Sequence, residues 1–311
     1  MKKWLLLLCV LSLSLFFGPG AQAQISTHCT YSAGSSQPTG VATDLVHGTV
    51  WVAMFEGNTL QEINATTCAR VLSLGTGLNP NGVAFDASNA TVWVANFGSN
   101  TVEKINSSSG TLVATYSVGT NPRGLTFDGT NVWVSNYGSN TVTRINATSG
   151  AMLTVGVGSG PYFLGYNTVD GNIYVPNRNS NTVTVIKPST GAVLKTIAVD
   201  SQPQFVSTGD VSEWVSCYSS QKLDKISTTS LTVTLSVSAP HSGPTGITFD
   251  GGADRIVGVT NSGYVYTVDM SGNVGNVTSL GGNLYSVFNY DNFNDFSTNT
   301  GNGAVTKLGI P

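Results

Sequence analysis

Pro80-Asn81-Gly82-Val83-Ala84-Phe85-Asp86, followed by Thr91-Val92-Trp93-Val94-Ala95-Asn96-Phe97-Gly98-Ser99-Asn100-Thr101-Val102, returns almost unchanged one period later. The second copy reads Pro122-Arg123-Gly124-Leu125-Thr126-Phe127-Asp128-Gly129 and Asn131-Val132-Trp133-Val134-Ser135-Asn136-Tyr137-Gly138-Ser139-Asn140-Thr141-Val142. Prolines open the units at Pro38, Pro80, Pro122, Pro161, Pro203 and Pro244, spaced 42, 42, 39, 42 and 41 residues apart. A seventh unit opens near Leu284 and runs out at Pro311, before its last strand. Short apolar–polar alternations between Gly-rich and Asn-rich turns predict strands, and no helix. In the second unit these are strands a to d, at 82–85, 91–95, 101–105 and 111–118. Four-stranded units of about 40 residues repeated along a chain are the signature of a β-propeller.

The strand missing from the last unit stands at the other end of the chain. His28-Cys29-Thr30-Tyr31-Ser32-Ala33-Gly34-Ser35-Ser36-Gln37-Pro38 aligns with Val113-Ala114-Thr115-Tyr116-Ser117-Val118-Gly119-Thr120-Asn121-Pro122. The N-terminus is therefore expected to supply strand d of the last blade, closing the ring and removing two exposed edges. The expected fold is all-β, a seven-bladed β-propeller of four-stranded antiparallel blades, as one domain over residues 24–311. Residues 1–23 read as a cleaved signal peptide: Lys2 and Lys3, the apolar run from Trp4 to Phe17, then Ala21-Gln22-Ala23. The expected location is periplasmic or secreted. No second stretch approaches the ~20 apolar residues of a membrane span. Without Lys2 and Lys3 the chain carries 11 basic and 16 acidic residues. It lacks the basic surface of a nucleic-acid binder.

Repetition within one chain separates scaffold from specialisation. Trp51, Trp93, Trp133 and Trp214, with Tyr174, share one strand-b register between valines, which assigns them to the wedge between blades. Asp44, Asp86, Asp128, Asp170 and Asp250 recur in the a–b turns and read as turn-makers. Antiparallel meandering places the d–a and b–c loops together on the opposite face. There the residue after each anchor varies: Thr39, Asn81, Arg123, Tyr162, Gln204, Thr245 and, by position, Leu284. The b–c tips form a second ring, Phe55, Phe97, Tyr137, Arg178 and Tyr218, beside Asn96, Asn136 and Asn177. Polar groups among aromatic walls suit a ligand site. The alternative is that the tips fold onto the neighbouring blade.

The segment from Val92 to Val102, with Ile173-Tyr174-Val175-Pro176-Asn177-Arg178-Asn179-Ser180-Asn181-Thr182-Val183, resembles the YVTN repeat family. The resemblance implies a seven-bladed propeller of the bacterial periplasmic or archaeal surface-layer type. It spans nearly all the mature chain and is clear in units one to four. Later units depart from it: Cys217 replaces the motif asparagine, the 260–263 turn is shorter, and Asn294 replaces the strand-b aromatic. Streptogramin lyases also resemble this architecture, and that resemblance implies a histidine with acidic and metal partners.

No H-E-x-x-H, paired C-x-x-C, P-loop, G-x-G-x-x-G or G-x-S-x-G motif occurs. Of His28, His47 and His241, His241 alone is expected on the variable face, with Glu56 and Asp200 as acids from other blades. Cys29 and Cys68 fall on outer strands of blades seven and one with opposite parity. A disulfide between them requires Cα atoms within about 7 Å. Cys217 would then be a free thiol. The reading is a non-catalytic, monomeric binding or envelope-scaffold module without cofactor or metal. Its partner is a small molecule, a glycan or an envelope protein, held by Arg123, Tyr162 and Gln204, then Tyr137, Arg178 and Tyr218. The alternative is a metal-assisted lyase or lactonase near His241. A third is a structural envelope protein that self-associates.

Overall fold

The computed structural model describes residues 26–33, 36–207, 211–251, 253–291, 294–300 and 303–309. The expected signal peptide, residues 1–23, lies outside them. The described residues form seven four-stranded antiparallel sheets, six of them in simple meander order. Blade two shows the pattern, with strands a to d at Pro80–Asp86, Thr91–Asn96, Thr101–Asn106 and Leu112–Ser117. In the seventh sheet Ser26–Ser32 pairs antiparallel with Ala304–Gly309, so the first strand completes the last blade. Cys29 and Cys68 are joined by a disulfide with Cα atoms 6.0 Å apart, tying the closing strand to blade one.

The innermost strands meet at the axis with almost no spare space. A Cβ on Gly40 would lie 2.3 Å from the Asn81 carbonyl oxygen, and one on Gly82 would lie 2.2 Å from that of Arg123. At Gly124 and Gly246 it would lie 2.7 Å from Phe163 Cα and 2.6 Å from Ser286 Cα. The recurring Pro-x-Gly is therefore a packing requirement: only hydrogen fits between neighbouring backbones. Hydroxyls stitch the same region. Ser216 Oγ donates to Thr245 O at 2.7 Å, Ser286 Oγ donates to Thr39 O at 2.7 Å, and Ser135 Oγ donates to Tyr162 O.

Farther out, the wedge between blades widens and large side chains fill it. Trp51, Trp93, Trp133, Trp214 and Tyr174 are all fully buried. Blade six has Val257 in that register. Its aromatic comes instead from strand c, where Tyr266 pairs with Gly258; a Cβ on Gly258 would sit 2.3 Å from the Tyr266 ring. Opposite three of the tryptophans stands a cation that lies over the indole and reaches the next blade. Lys104 covers Trp93 at 5.3 Å and donates to Ala147 O at 2.7 Å. Arg144 over Trp133 donates to Pro188 O at 2.8 Å, and Lys225 over Trp214 to Met270 O at 2.8 Å. The cation–π contact is worth about 0.5–2 kcal/mol, and the bond to the neighbouring carbonyl makes each blade hold the next.

The a–b turns are held by their aspartates. Asp44 accepts from the backbone N–H groups of Val46 and His47, both at 3.0 Å, and Asp86, Asp128 and Asp170 act alike. His47 Nδ1 adds an ion pair to Asp44 at 2.7 Å.

Two stability outcomes follow. Gly82→Ala should lose about 1–3 kcal/mol in urea unfolding, because backbone at 2.2 Å cannot rotate away. Gly75→Ala, where the methyl meets nothing within 4 Å, should not. Replacing Cys29 and Cys68 together by Ser should cost about 2–4 kcal/mol, and reducing agent should lower the wild-type midpoint to the variant's value.

Candidate functional site

The d–a and b–c loops take their shape from residues that tolerate a left-handed backbone. The residue before each anchor proline has positive φ: Gln37 (47°), Asn79 (53°), Asn121 (53°), Gly160 (66°), Gln202 (57°) and Gly243 (68°). The Gly-Ser-Asn hairpins do the same with Asn100 at 57° and Asn140 at 55°. The amide oxygen of Asn100 accepts from Asn121 N at 2.8 Å, fixing the b–c hairpin of one blade to the d–a loop of the next. Asn96, Asn136 and Asn177 are fully buried, donating to Thr101, Thr141 and Thr182 at 3.1–3.2 Å. They brace the hairpins and do not face the surface.

The post-proline ring is less open than its position suggested. Thr39, Asn81, Gln204 and Thr245 are buried. Thr39 Oγ1 donates among the carbonyls of Ala53, Pro80 and Asn81, and Thr245 Oγ1 to those of Val259 and Leu284. These two belong to the scaffold. The seventh member needs correcting. Leu284 pairs with Asn299 as Pro80 pairs with Asn96, so Leu284 occupies the anchor position and Tyr285 follows it in the ring.

Tyr285 matters because of what stands in blades four and five. There Pro-x-Gly becomes Pro161-Tyr162-Phe163 and Pro203-Gln204-Phe205. The two phenylalanines, from neighbouring blades, stack with centroids 4.4 Å apart and planes at 10°, and Tyr285 of blade seven meets both edge-on at 6.0 and 5.9 Å. Together they cap the central channel, which beneath them narrows to a void of about 60 Å³ lined by Val83, Leu125, Val206 and Ile247.

On this cap the expected site residues divide. The Tyr162 and Tyr285 hydroxyls are 3.1 Å apart, and Arg123 Nη1 donates to the Tyr162 hydroxyl at 3.2 Å. The Arg123 guanidinium lies 4.8, 4.9 and 4.6 Å from the ring centres of Phe97, Tyr137 and Tyr162, three rings from three blades. Arg178 approaches Tyr162 from outside at 5.9 Å and donates to Gln202 Oε1 at 3.0 Å. Arg123, Tyr162, Tyr137 and Arg178 are thus one cluster. Gln204 adjoins it by its backbone, accepting from Phe163 N at 3.1 Å. Tyr218 is directed elsewhere, its hydroxyl accepting from Asn261 Nδ2 of blade six at 2.7 Å. Phe55 likewise folds toward Phe97, at 6.0 Å.

Their surroundings move the two phenols in opposite directions. The Asn179 hydrogen bond, and then the two arginines, hold the Tyr137 hydroxyl below the ordinary tyrosine range against the opposing effect of burial. Burial, with Tyr162 alongside, pushes Tyr285 well above it, so Tyr285 stays a donor.

His241, Glu56 and Asp200 are each engaged separately. The His241 ring stacks on Tyr264 with centroids 3.6 Å apart, and Glu56 accepts from Gln37. Burial raises the Asp200 carboxyl, but the Lys222 ammonium at 3.1 Å and Ser236 outweigh it and hold the group below its usual range. Cys217 is free and buried. Its thiol is pushed up by burial and by Asp224, to whose carboxylate it donates at 3.8 Å. Among the described residues no three His, Cys, Asp or Glu side chains are grouped to hold a metal. A larger cleft, about 490 Å³, lies between blades three and four on the opposite face. Its carboxylates are already occupied, Asp128 by Trp133 Nε1 at 2.7 Å and Asp170 by the Tyr174 hydroxyl at 2.6 Å, as well as by their own turns.

No family model and no curated protein matches the chain. Solved structures do. A streptogramin B lyase structure is similar with a TM-score of 0.78 at 14% identity, covering 92% of this chain and 97% of that one. Selenomethionine-substituted virginiamycin B lyase from Staphylococcus aureus gives 0.79 at 15%, covering 93% and 100%. A catalytically inactive variant of that lyase with quinupristin gives 0.78 at 15%, covering 93% and 99%. What is shared is the fold.

The Tyr137 environment can be checked by absorbance titration. Subtracting the Tyr137→Phe curve from wild type should reveal a phenol ionising below pH 10. Because cations favour the phenolate, Arg178→Met should move that ionisation upward. An unchanged difference curve would contradict the cluster.

Proposed function

We propose that the protein is an exported binding module whose ligand sits on the capped mouth of the d–a and b–c face. The observation that carries this reading is the Arg123 guanidinium, enclosed by rings of three blades at 4.6–4.9 Å and adjoined by Arg178. In a chain only 9% charged, two arginines gathered over aromatic rings form a specialised surface on an otherwise repetitive scaffold. Export is supported by the Lys2–Ala23 leader pattern and by the Cys29–Cys68 disulfide, which suits an oxidising compartment. A YVTN-type envelope role agrees with the repeat itself.

The test is thermal unfolding of residues 24–311 against glycans, cell-wall fragments, lactones and divalent ions. An organic ligand at 100 times its Kd should add about 2.7 kcal/mol, unaffected by chelator and abolished by Arg123→Ala. An undiminished shift in Arg123→Ala would remove the site from the mouth. Similarity to the lyase structures supports a second reading, a metal-assisted lyase or lactonase near His241. Turnover lost both in His241→Ala and on chelation would establish it in place of the first.

A further inference from the structure

We infer that the mouth recognises a carboxylate, received between the Arg123 and Arg178 guanidinium groups. This rests on the binding reading above and specifies its chemistry.

The first argument is charge. The side-chain ion pairs formed among the described residues are His47–Asp44, Lys222–Asp200 and Arg255–Asp250. Neither Arg123 nor Arg178 is in one. Arg144, by contrast, is committed to the Pro188 carbonyl of the next blade. Both mouth guanidiniums approach the same Tyr162 ring, so two like charges share a half-buried site, and among the described residues neither is paired with a carboxylate. Ring faces compensate a cation only partially. An entering anion would relieve the remaining repulsion.

The second argument is the balance of donors and acceptors. Arg123 Nε and Arg178 Nε are buried and have no acceptor. The acceptors supplied to the guanidiniums are the Tyr162 and Tyr285 hydroxyls beside Arg123, and Gln202 Oε1 and the Tyr137 hydroxyl beside Arg178, all neutral. Each guanidinium carries five N–H donors and no acceptor, and Tyr285 remains protonated beside them. The mouth is therefore rich in donors and poor in acceptors. A neutral sugar brings a donor with every hydroxyl oxygen and no negative charge, so it offsets that imbalance less and leaves the two positive charges uncompensated. A carboxylate offers acceptors alone, in the planar geometry that a guanidinium fork matches. Phosphate shares this chemistry, and one arm of the test separates the two.

The probes are acetate, benzoate and glucuronate, paired with acetamide, benzamide and glucose, plus inorganic phosphate, at constant ionic strength. The readout is the Nε–H resonance of each arginine in the folded, nitrogen-labelled protein. At least one carboxylate should shift both resonances saturably while its neutral counterpart does not, and added salt should weaken the effect. Arg178→Gln should weaken binding about tenfold or more, the loss of a charge-assisted contact, and Arg178→Lys should restore part of it. Arg178 lies outside the aromatic cage, so this variant remains informative even if Arg123→Gln unfolds. Equal shifts from a neutral counterpart, or unchanged affinity in Arg178→Gln, would overturn the carboxylate assignment while leaving a binding site in place. Phosphate binding more tightly than every carboxylate would also overturn it. If no carboxylate moves either resonance the inference fails, and a simultaneous absence of any ligand in the unfolding screen would remove the binding reading as well.

Discussion

Everything in this molecule is organised by how closely its inner strands approach at the axis. Where one blade's backbone comes within 2.2–2.7 Å of the place a neighbour's Cβ would occupy, hydrogen is the only side chain that fits. Gly40, Gly82, Gly124 and Gly246 meet that requirement and draw blades one to four, and six to seven, tightly together. Blades four and five carry Phe163 and Phe205 instead. The two rings turn into the axis, stack on each other and close the channel. Tyr162 and Tyr285 rest on that cap, and Arg123 rests on Tyr162. The candidate site is thus built on the place where the repeat breaks its own rule.

A second theme is how few charges the protein has and how each is used. Lys104, Arg144 and Lys225 lie over tryptophans and fasten blades two, three and five to the blades that follow them. The turn aspartates are occupied by their own turn backbones and by nearby side chains such as His47, Trp133 and Tyr174. The arginines at the mouth have no such assignment, since aromatic faces and phenol oxygens surround them where carboxylates would ordinarily be. The cleft on the opposite face shows the converse: it has volume, but its carboxylates already have partners.

The sequence on its own determined the ring. Periods of 39 to 42 residues, alternating apolar runs and turn chemistry are local signals, and an array of identical units has few ways to bury its faces. The matching of His28–Pro38 to Val113–Pro122 named the closing strand, and the shared register of Trp51, Trp93, Trp133 and Trp214 identified the wedge. Even the break was written there, in Phe163 and Phe205 at positions held in the other blades by glycine or, in blade seven, by Ser286. Tertiary structure alone decided which variable residues meet. Thr39 and Thr245 stand in the same column as Arg123 yet are consumed by blade-to-blade hydrogen bonds; Tyr137 and Tyr218 both reach the next blade's hairpin, at Asn179 and Asn261, but Tyr137 also meets Arg123 and Tyr162. Tyr285, 123 residues beyond Tyr162, reaches its hydroxyl. Repeat periodicity specifies what neighbouring blades have in common, whereas a contact across the axis depends on side-chain length and on which partner arrives from the far side of the ring.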